Sequence, residues 1–279
     1  MTASHLFSID VEEHFQVSAF ERYVDRGSWP EHESRVVANT DRLLELLARH
    51  SARATCFIVG WVAERHPDLV RRIAAAGHEV ASHSYWHRRV TTLTPEEFRD
   101  EIRSSKAILE DIVGAAVVGF RAPSYSIVPG LEWAFDLLLE EGYQYDSSLF
   151  PIARRGYGWP DAPLDPHRIR RAAGELLEIP MTVWPVGPFK VPAAGGGYFR
   201  QFPFWVTERA FAARERAGKA GMFYIHPWEV DPDQPRVAVD RLTRIRHYRG
   251  LDRVAPDLDR LLARFRFTSV ADWLATGGA

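Results

Sequence analysis

Residues 78–87 read HEVASHSYWH. His78-Glu79-Val80-Ala81-Ser82 is a strand-like run, and His83 and His87 follow it four residues apart, with Ser84, Tyr85 and Trp86 between them. Just upstream, Pro67 to Ala76 has the pattern of a helix that opens on proline and is stopped by Gly77. A helix, a short strand and a polar cluster at the strand's far end thus come in that order, and the order recurs along the chain. Leu6 to Val11 and Ala54 to Val59 read as strands, separated by a helix from Val36 to His50 with Val36, Leu43, Leu44 and Leu47 on one face. After the histidines, Thr94-Pro95-Glu96-Glu97 places a cap, a first-turn proline and a capping-box glutamate ahead of an apolar face running Phe98, Ile102, Leu109, Ile112. Val117 to Phe120 is a strand, Leu131 to Glu141 a helix, and Gln144-Tyr145 begins another strand.

Strands alternating with helices predict a parallel α/β architecture, either a barrel or an open sheet. The regularity lapses between Phe150 and Pro203, a stretch rich in glycine and proline that includes Gly195-Gly196-Gly197. Long loops are expected there, with short strands around Leu176–Ile179 and Met181–Trp184. Helices at Pro203–Ala217, Val237–Tyr248 and Ala255–Phe265 and a strand at Met222–Ile225 follow. A single domain over residues 1–279, with a loop-rich region at about 150–203, is the simplest organisation.

Composition narrows the function classes. With 46% hydrophobic and 26% charged residues the 279-residue chain has ample material for a core, and its formal net charge of -2 gives no reason to expect nucleic-acid binding. Its one cysteine, Cys56, excludes an intrachain disulfide and a multi-cysteine zinc site. Cys56 lies in the apolar run Thr55-Cys56-Phe57-Ile58-Val59 and is expected to be a buried structural thiol. Neither a signal peptide nor a membrane-spanning run is visible, so a cytoplasmic location is expected.

In parallel α/β folds the chemistry gathers at the C-terminal ends of the strands. Five such ends here are polar: Asp10-Val11-Glu12-Glu13-His14, His83 to His87, Arg121-Ala122-Pro123-Ser124, Asp146-Ser147-Ser148 and His226-Pro227-Trp228-Glu229. Each alone fits a surface or capping role; five together point to a site. Catalytic zinc commonly takes three ligands from histidine and carboxylate, and His83, His87 and one carboxylate of the first cluster would supply them. In an extended chain, residues two apart share a face, which pairs Asp10 with Glu12 and favours Glu12 over Glu13 as the ligand. Asp10 is then free to serve as a base.

These motifs resemble the polysaccharide deacetylases of the NodB-homology type, carbohydrate esterases that include chitin and peptidoglycan deacetylases. The likeness runs in order from about Leu6 to Trp228: Asp10-Val11-Glu12 at the first motif, where the family usually has two adjacent aspartates, the His-Ser-x-x-His motif at 83–87, Arg121-Ala122-Pro123, Asp146-Ser147 and Ile225-His226. Val11 to Val17, Gly195 to Arg200 and His226 to Glu229 resemble the subgroup found beside exopolysaccharide and exosortase (PEP-CTERM) loci. The resemblance implies an irregular (β/α) barrel of about seven strands and hydrolysis of N-acetyl groups on a hexosamine polymer. It also implies a divalent metal, zinc first, with cobalt, nickel or manganese tolerated by the same ligands.

On that reading Asp10 is the general base, Arg121 its ion-pair partner, and the backbone N–H of Ser124 an oxyanion donor. His226 is the general acid, with Asp146 holding it charged, and Tyr125, Tyr198 and Trp228 are stacking surfaces for sugar. Two other readings compete: hydrolysis of a small non-sugar amide on the same barrel, and an inactive carbohydrate-binding protein. Oligomeric state leaves no trace in the sequence.

Overall fold

The structure, a computed structural model, describes residues 4–154 and 156–278. Eleven strands are present among them: β1 (His5–Val11), β2 (Thr55–Ile58), β3 (Glu79–Ser82), β4 (Gly119–Phe120), β5 (Tyr145–Asp146), β6 (His167–Arg171), β7 (Gly174–Glu178), β8 (Val183–Val186), β9 (Phe189–Pro192), β10 (Met222–Ile225) and β11 (Phe267–Thr268). The central sheet runs β10-β1-β2-β3-β4-β5-β7, every neighbour pair parallel, with β6 antiparallel at the edge and β11 beside the start of β1. The α/β class and the parallel sheet expected from the alternation are both present.

Beyond the edges, single bonds replace a ladder. The Thr182 carbonyl accepts from the Ala193 N–H, the Ala194 carbonyl accepts from the Tyr224 N–H at 2.7 Å, and Gly195 bridges Tyr224 in parallel. At Gly195 (φ 129°) an added Cβ would fall 1.9 Å from the Tyr224 carbonyl oxygen, so the crossing admits only glycine. This irregular seam links the segment after β7 to β10.

The strand period of two sorts the side chains. Phe7, Ile9, Val11, Cys56 and Ile58 point outward into a cluster with Leu43, Leu47, Val70, Leu109 and Leu261 of the surrounding helices. Leu6, Phe57, Ala81, Tyr145 and Tyr224 turn inward and pack on one another. Cys56 is buried and free, as its apolar run predicts.

Strand register positions the site. Val11, Ile58, Ser82, Phe120, Asp146 and Glu178 form one transverse row across six strands. One residue beyond that row come Glu12, His83 and Arg121. Ile9 lies opposite Ile225, which sets Asp10 level with His226.

Several boundaries differ from expectation. The glycine-rich 195–201 stretch is not all loop, since Gly196–Gln201 is helical. The predicted Val237–Tyr248 helix begins only at Arg241, where the Asp240 carboxylate accepts from the N–H groups of Leu242 and Thr243. The last long helix, expected from Ala255, starts at Leu251 and carries Pro256 inside it. Helices at Gly60–Arg65 and Val270–Ala275, and strands β6 and β9, have no counterpart in the sequence reading. Among the described residues no helix is long and apolar enough to cross a membrane.

Candidate metal and active site

The 83–87 turn is held in an uncommon backbone shape: Ser84 and His87 both have positive φ, 58° and 50°. Glu101, from the helix Pro95–Val113, clamps it by accepting from the N–H groups of Tyr85 (2.9 Å) and Trp86 (2.7 Å) with one carboxylate oxygen. The Ser84 and Tyr85 carbonyls accept from Gly60 and Trp61. His83 Nδ1 lies 2.7 Å from the Arg121 carbonyl. A carbonyl only accepts, so that nitrogen carries the hydrogen and Nε2 is left with its lone pair. Burial lowers the His83 imidazole to about 4, against the raising influence of Asp10, and keeps it neutral.

Glu12, His83 and His87 each offer one ligand atom, and the three atoms lie within 4.8 Å of one another. Glu12 Oε1 accepts from Trp228 Nε1 (3.0 Å), which leaves Oε2 facing the histidines. That oxygen is 2.6 Å from His87 Nε2 yet has no hydrogen-bond partner of proper angle, although it is fully buried. Burial opposes the charge on Glu12, but His87, His226 and His83 together hold its carboxyl well below the usual range. Two imidazoles and one carboxylate converging on one point fit a divalent ion of the zinc type. Glu13 is turned away: its carboxylate accepts from Ser34 Oγ and the Arg35 N–H.

Beside this group, Asp10 is paired with Arg121 at 2.6 Å. The guanidinium is fully buried, lies over the Phe57 ring, and also donates to Ser8 Oγ, the Ser147 carbonyl and Ser147 Oγ. The charge and four of the five N–H donors are thus matched, the condition under which a buried pair is tolerated. His226 Nε2 stands 3.9 Å from Asp10 Oδ2 and 3.7 Å from Glu12 Oε1. Its imidazole is pushed up to about 9: burial works against the charge, and Glu12, Glu229 and Asp10 outweigh it.

Three expected roles need correction. Asp146 does not reach His226, because His226 Nδ1 is taken by Glu229 Oε1 at 2.6 Å. Asp146 instead accepts from Ser148 Oγ and lies in register beside Glu178, another fully buried carboxyl. Burial and the Asp146 charge push the Glu178 carboxyl well up. Trp228 offers no face to sugar, being only 4% exposed and sandwiched between His226 (5.0 Å) and His247 (4.3 Å). Tyr125, likewise buried, packs edge-on against Phe150 and Tyr224. Tyr198 is half-buried, its hydroxyl 2.6 Å from that of Tyr157. Ser124 and Tyr125 have positive φ (57° and 53°), and Ser124 Oγ meets Ser18 Oγ at 2.6 Å.

The sequence reading gave Glu229, Glu178 and Arg200 no role in the site. The spacing of His226 and Glu229, three residues apart after a strand, was the available signal for the first; the other two join the site only through tertiary packing.

Comparison with known proteins matches residues 24–131 to the polysaccharide deacetylase family. Over that segment the chain is similar to the polysaccharide deacetylases. Residues 147–275 match a second family, a domain of unknown function (DUF3473). The deacetylase segment holds His83, His87 and Arg121, while His226 and its neighbours lie in the second. The chain is 34% identical over 96 residues to a peptidoglycan-N-acetylglucosamine deacetylase of Bacillus cereus, covering 34% of this chain and 35% of the relative. It is 42% identical over 76 residues to a chitooligosaccharide deacetylase of Rhizobium leguminosarum bv. trifolii, covering 27% and 34%. The matches thus span about a third of each curated relative. Among solved structures, a Mycobacterium smegmatis protein classed with the polysaccharide deacetylases superposes with a TM-score of 0.65 at 20% identity, covering 99% of this chain and 90% of the other. The PuuE allantoinase superposes equally well (TM-score 0.65, 18% identity, 99% and 92% coverage), so the deacetylase fold is shared with an enzyme of another name.

Proposed function

We propose that this protein is a metal-dependent deacetylase that hydrolyses N-acetyl groups of hexosamine residues in a bacterial polysaccharide or its precursor, releasing acetate. The observation that carries the reading is the convergence of Glu12, His83 and His87 beside the Asp10–Arg121 pair and His226. The names of the peptidoglycan and chitooligosaccharide deacetylases to which the chain is similar support the substrate class. The two matched segments act as one unit on this reading, since each contributes part of the site.

Glu12, His83 and His87 would hold a divalent ion, which when bound would supply Lewis acidity toward the amide carbonyl. Asp10, aimed by Arg121, takes a proton from the attacking water. The N–H of Ser124, at the turn after Pro123, donates to the developing oxyanion. His226 Nε2 delivers a proton to the departing amine, on the side of the site facing Asp10. Tyr198, on the half-exposed rim, is the aromatic left to contact sugar. The exopolysaccharide-locus subgroup and a cytoplasmic or membrane-proximal precursor substrate belong to the same proposal.

The test is metal analysis together with acetate release across a panel of N-acetylated oligosaccharides and allantoin. The His83→Ala variant is expected to lose both metal and acetate release. Undiminished deacetylation by that variant would sink the metal mechanism, and turnover of allantoin alone would favour the small-amide reading.

A further inference from the structure

We infer that Glu229, itself held by Arg200, is the positioning residue that orients His226 as proton donor, in the role the motif order gives to Asp146; the inference rests on the deacetylase reading above. The turn after β10 folds the Glu229 side chain back onto the strand end. Its Oε1 accepts from the His226 main-chain N–H (3.1 Å) and from Nδ1 (2.6 Å). A carboxylate only accepts, so Nδ1 carries a hydrogen and Nε2 is the atom presented to Asp10 and Glu12. The other carboxylate oxygen receives Arg200 Nε at 2.5 Å. Arg200, buried in the short helix Gly196–Gln201, also donates to the His247 carbonyl, and its own carbonyl accepts from Arg253 at 2.6 Å. Trp228 covers one face of the His226 ring, and His247 backs Trp228 in turn. The imidazole is therefore fixed in plane by a stack and in rotation by a carboxylate, all from residues 200–247. Asp146 accepts from Ser148 Oγ and lies in register beside Glu178.

A role through His226 has a chemical signature. An amide cannot expel its nitrogen without a proton, whereas an aryl acetate expels a phenolate that needs none. In the metal-loaded full-length protein, Glu229→Gln is expected to lower kcat on an N-acetylchitooligosaccharide by about a hundredfold or more. KM and metal content should be retained, and 4-nitrophenyl acetate should be hydrolysed near the parent rate. Asp146→Asn should leave the ratio of the two rates at the parent value. Equal losses on both substrates for Glu229→Gln, or a selective amide loss for Asp146→Asn, would overturn the assignment. Should Glu229→Gln fail to fold, Glu229→Asp, which withdraws the carboxylate by one methylene, must show the same selective loss. If the parent releases acetate from neither substrate, the deacetylase reading falls by itself. The positioning claim is then decided by the ¹⁵N spectrum of the His226 ring, whose hydrogen-bonded Nδ1–H signal should vanish in Glu229→Ala and persist in Asp146→Asn.

Discussion

Arg121 heads the large side chains that solvent does not reach, and its charge is matched by Asp10 alone among the acids within ion-pair distance. Replacing it with methionine keeps the volume and strands a carboxylate in the interior. Because breaking a buried pair costs far more than replacing both partners, Arg121→Met should destabilise by about 3–5 kcal/mol in urea unfolding. A loss below 1 kcal/mol would mean that water reaches Asp10 in solution. The Asp10→Asn variant separates chemistry from stability, since the amide can still accept from Arg121. It should keep its metal and lose about 10²–10⁴-fold in kcat, the range for deleting a general base. Equal activity in Asp10→Asn would assign the base elsewhere. At this scale the sequence was informative about which atoms are special but not about their orientation. Alternation along β1 pairs Asp10 with Glu12, and the structure turns both inward with Glu13 on the opposite side. Trp228 read as a sugar platform because an aromatic beside a catalytic motif gives no hint of what covers its two faces.

The element that presents the histidines is a turn, and turns depend on what ties them down. Ser84 and His87 hold left-handed conformations that cost about 1–3 kcal/mol each unless the surroundings fix them. Glu101 is the tie, through two backbone N–H groups. Glu101→Ala should therefore weaken metal binding by about 10–100-fold, the usual effect of losing a group that orients a ligand, as read by competition with a chromogenic chelator. Thr94→Ala offers the contrast on the same helix. It removes the capping-box acceptor of the Glu97 N–H and should cost about 1 kcal/mol of stability without touching metal affinity. If both variants bind metal like the parent, the turn is rigid without its clamp. The capping box was legible because its partners are three residues apart. The Glu101 clamp was not, since its partners lie 15 and 16 residues away and meet only when the helix packs beside β3.

Across the whole molecule, β1 divides its labour along its length. Its C-terminal end carries Asp10 and leads directly to Glu12, and its N-terminal end carries His5, far from the chemistry. His5 is buried against Phe211, Phe265 and Phe267, and its Nδ1 accepts from the Gly221 N–H at 3.0 Å, an arrangement that requires the neutral ring. Burial, helped by Arg214, lowers its pKa from 6.5 to about 4. Between those two values the unfolded chain binds a proton that the folded chain refuses, so stability rises with pH through that window. The contribution is complete above about pH 6.5 and gone below about pH 4. At pH 5 most of it is already lost, a drop of about 2 kcal/mol relative to pH 7.5. His5→Gln can still accept from Gly221 but does not titrate. Its urea stability should start below that of the parent at pH 7.5 and fall less steeply toward pH 5, so that the two curves converge. Parallel curves for parent and variant would show that some other group dominates the acid side. Removing metal with a chelator at pH 7.5 tests the opposite end of the same strand, where a bound ion stabilises only the folded state. At pH 7.5 the His5→Gln substitution and the chelator should lower the melting temperature additively, because His5 and Glu12 share no partner and lie at opposite ends of a seven-residue strand and its continuation.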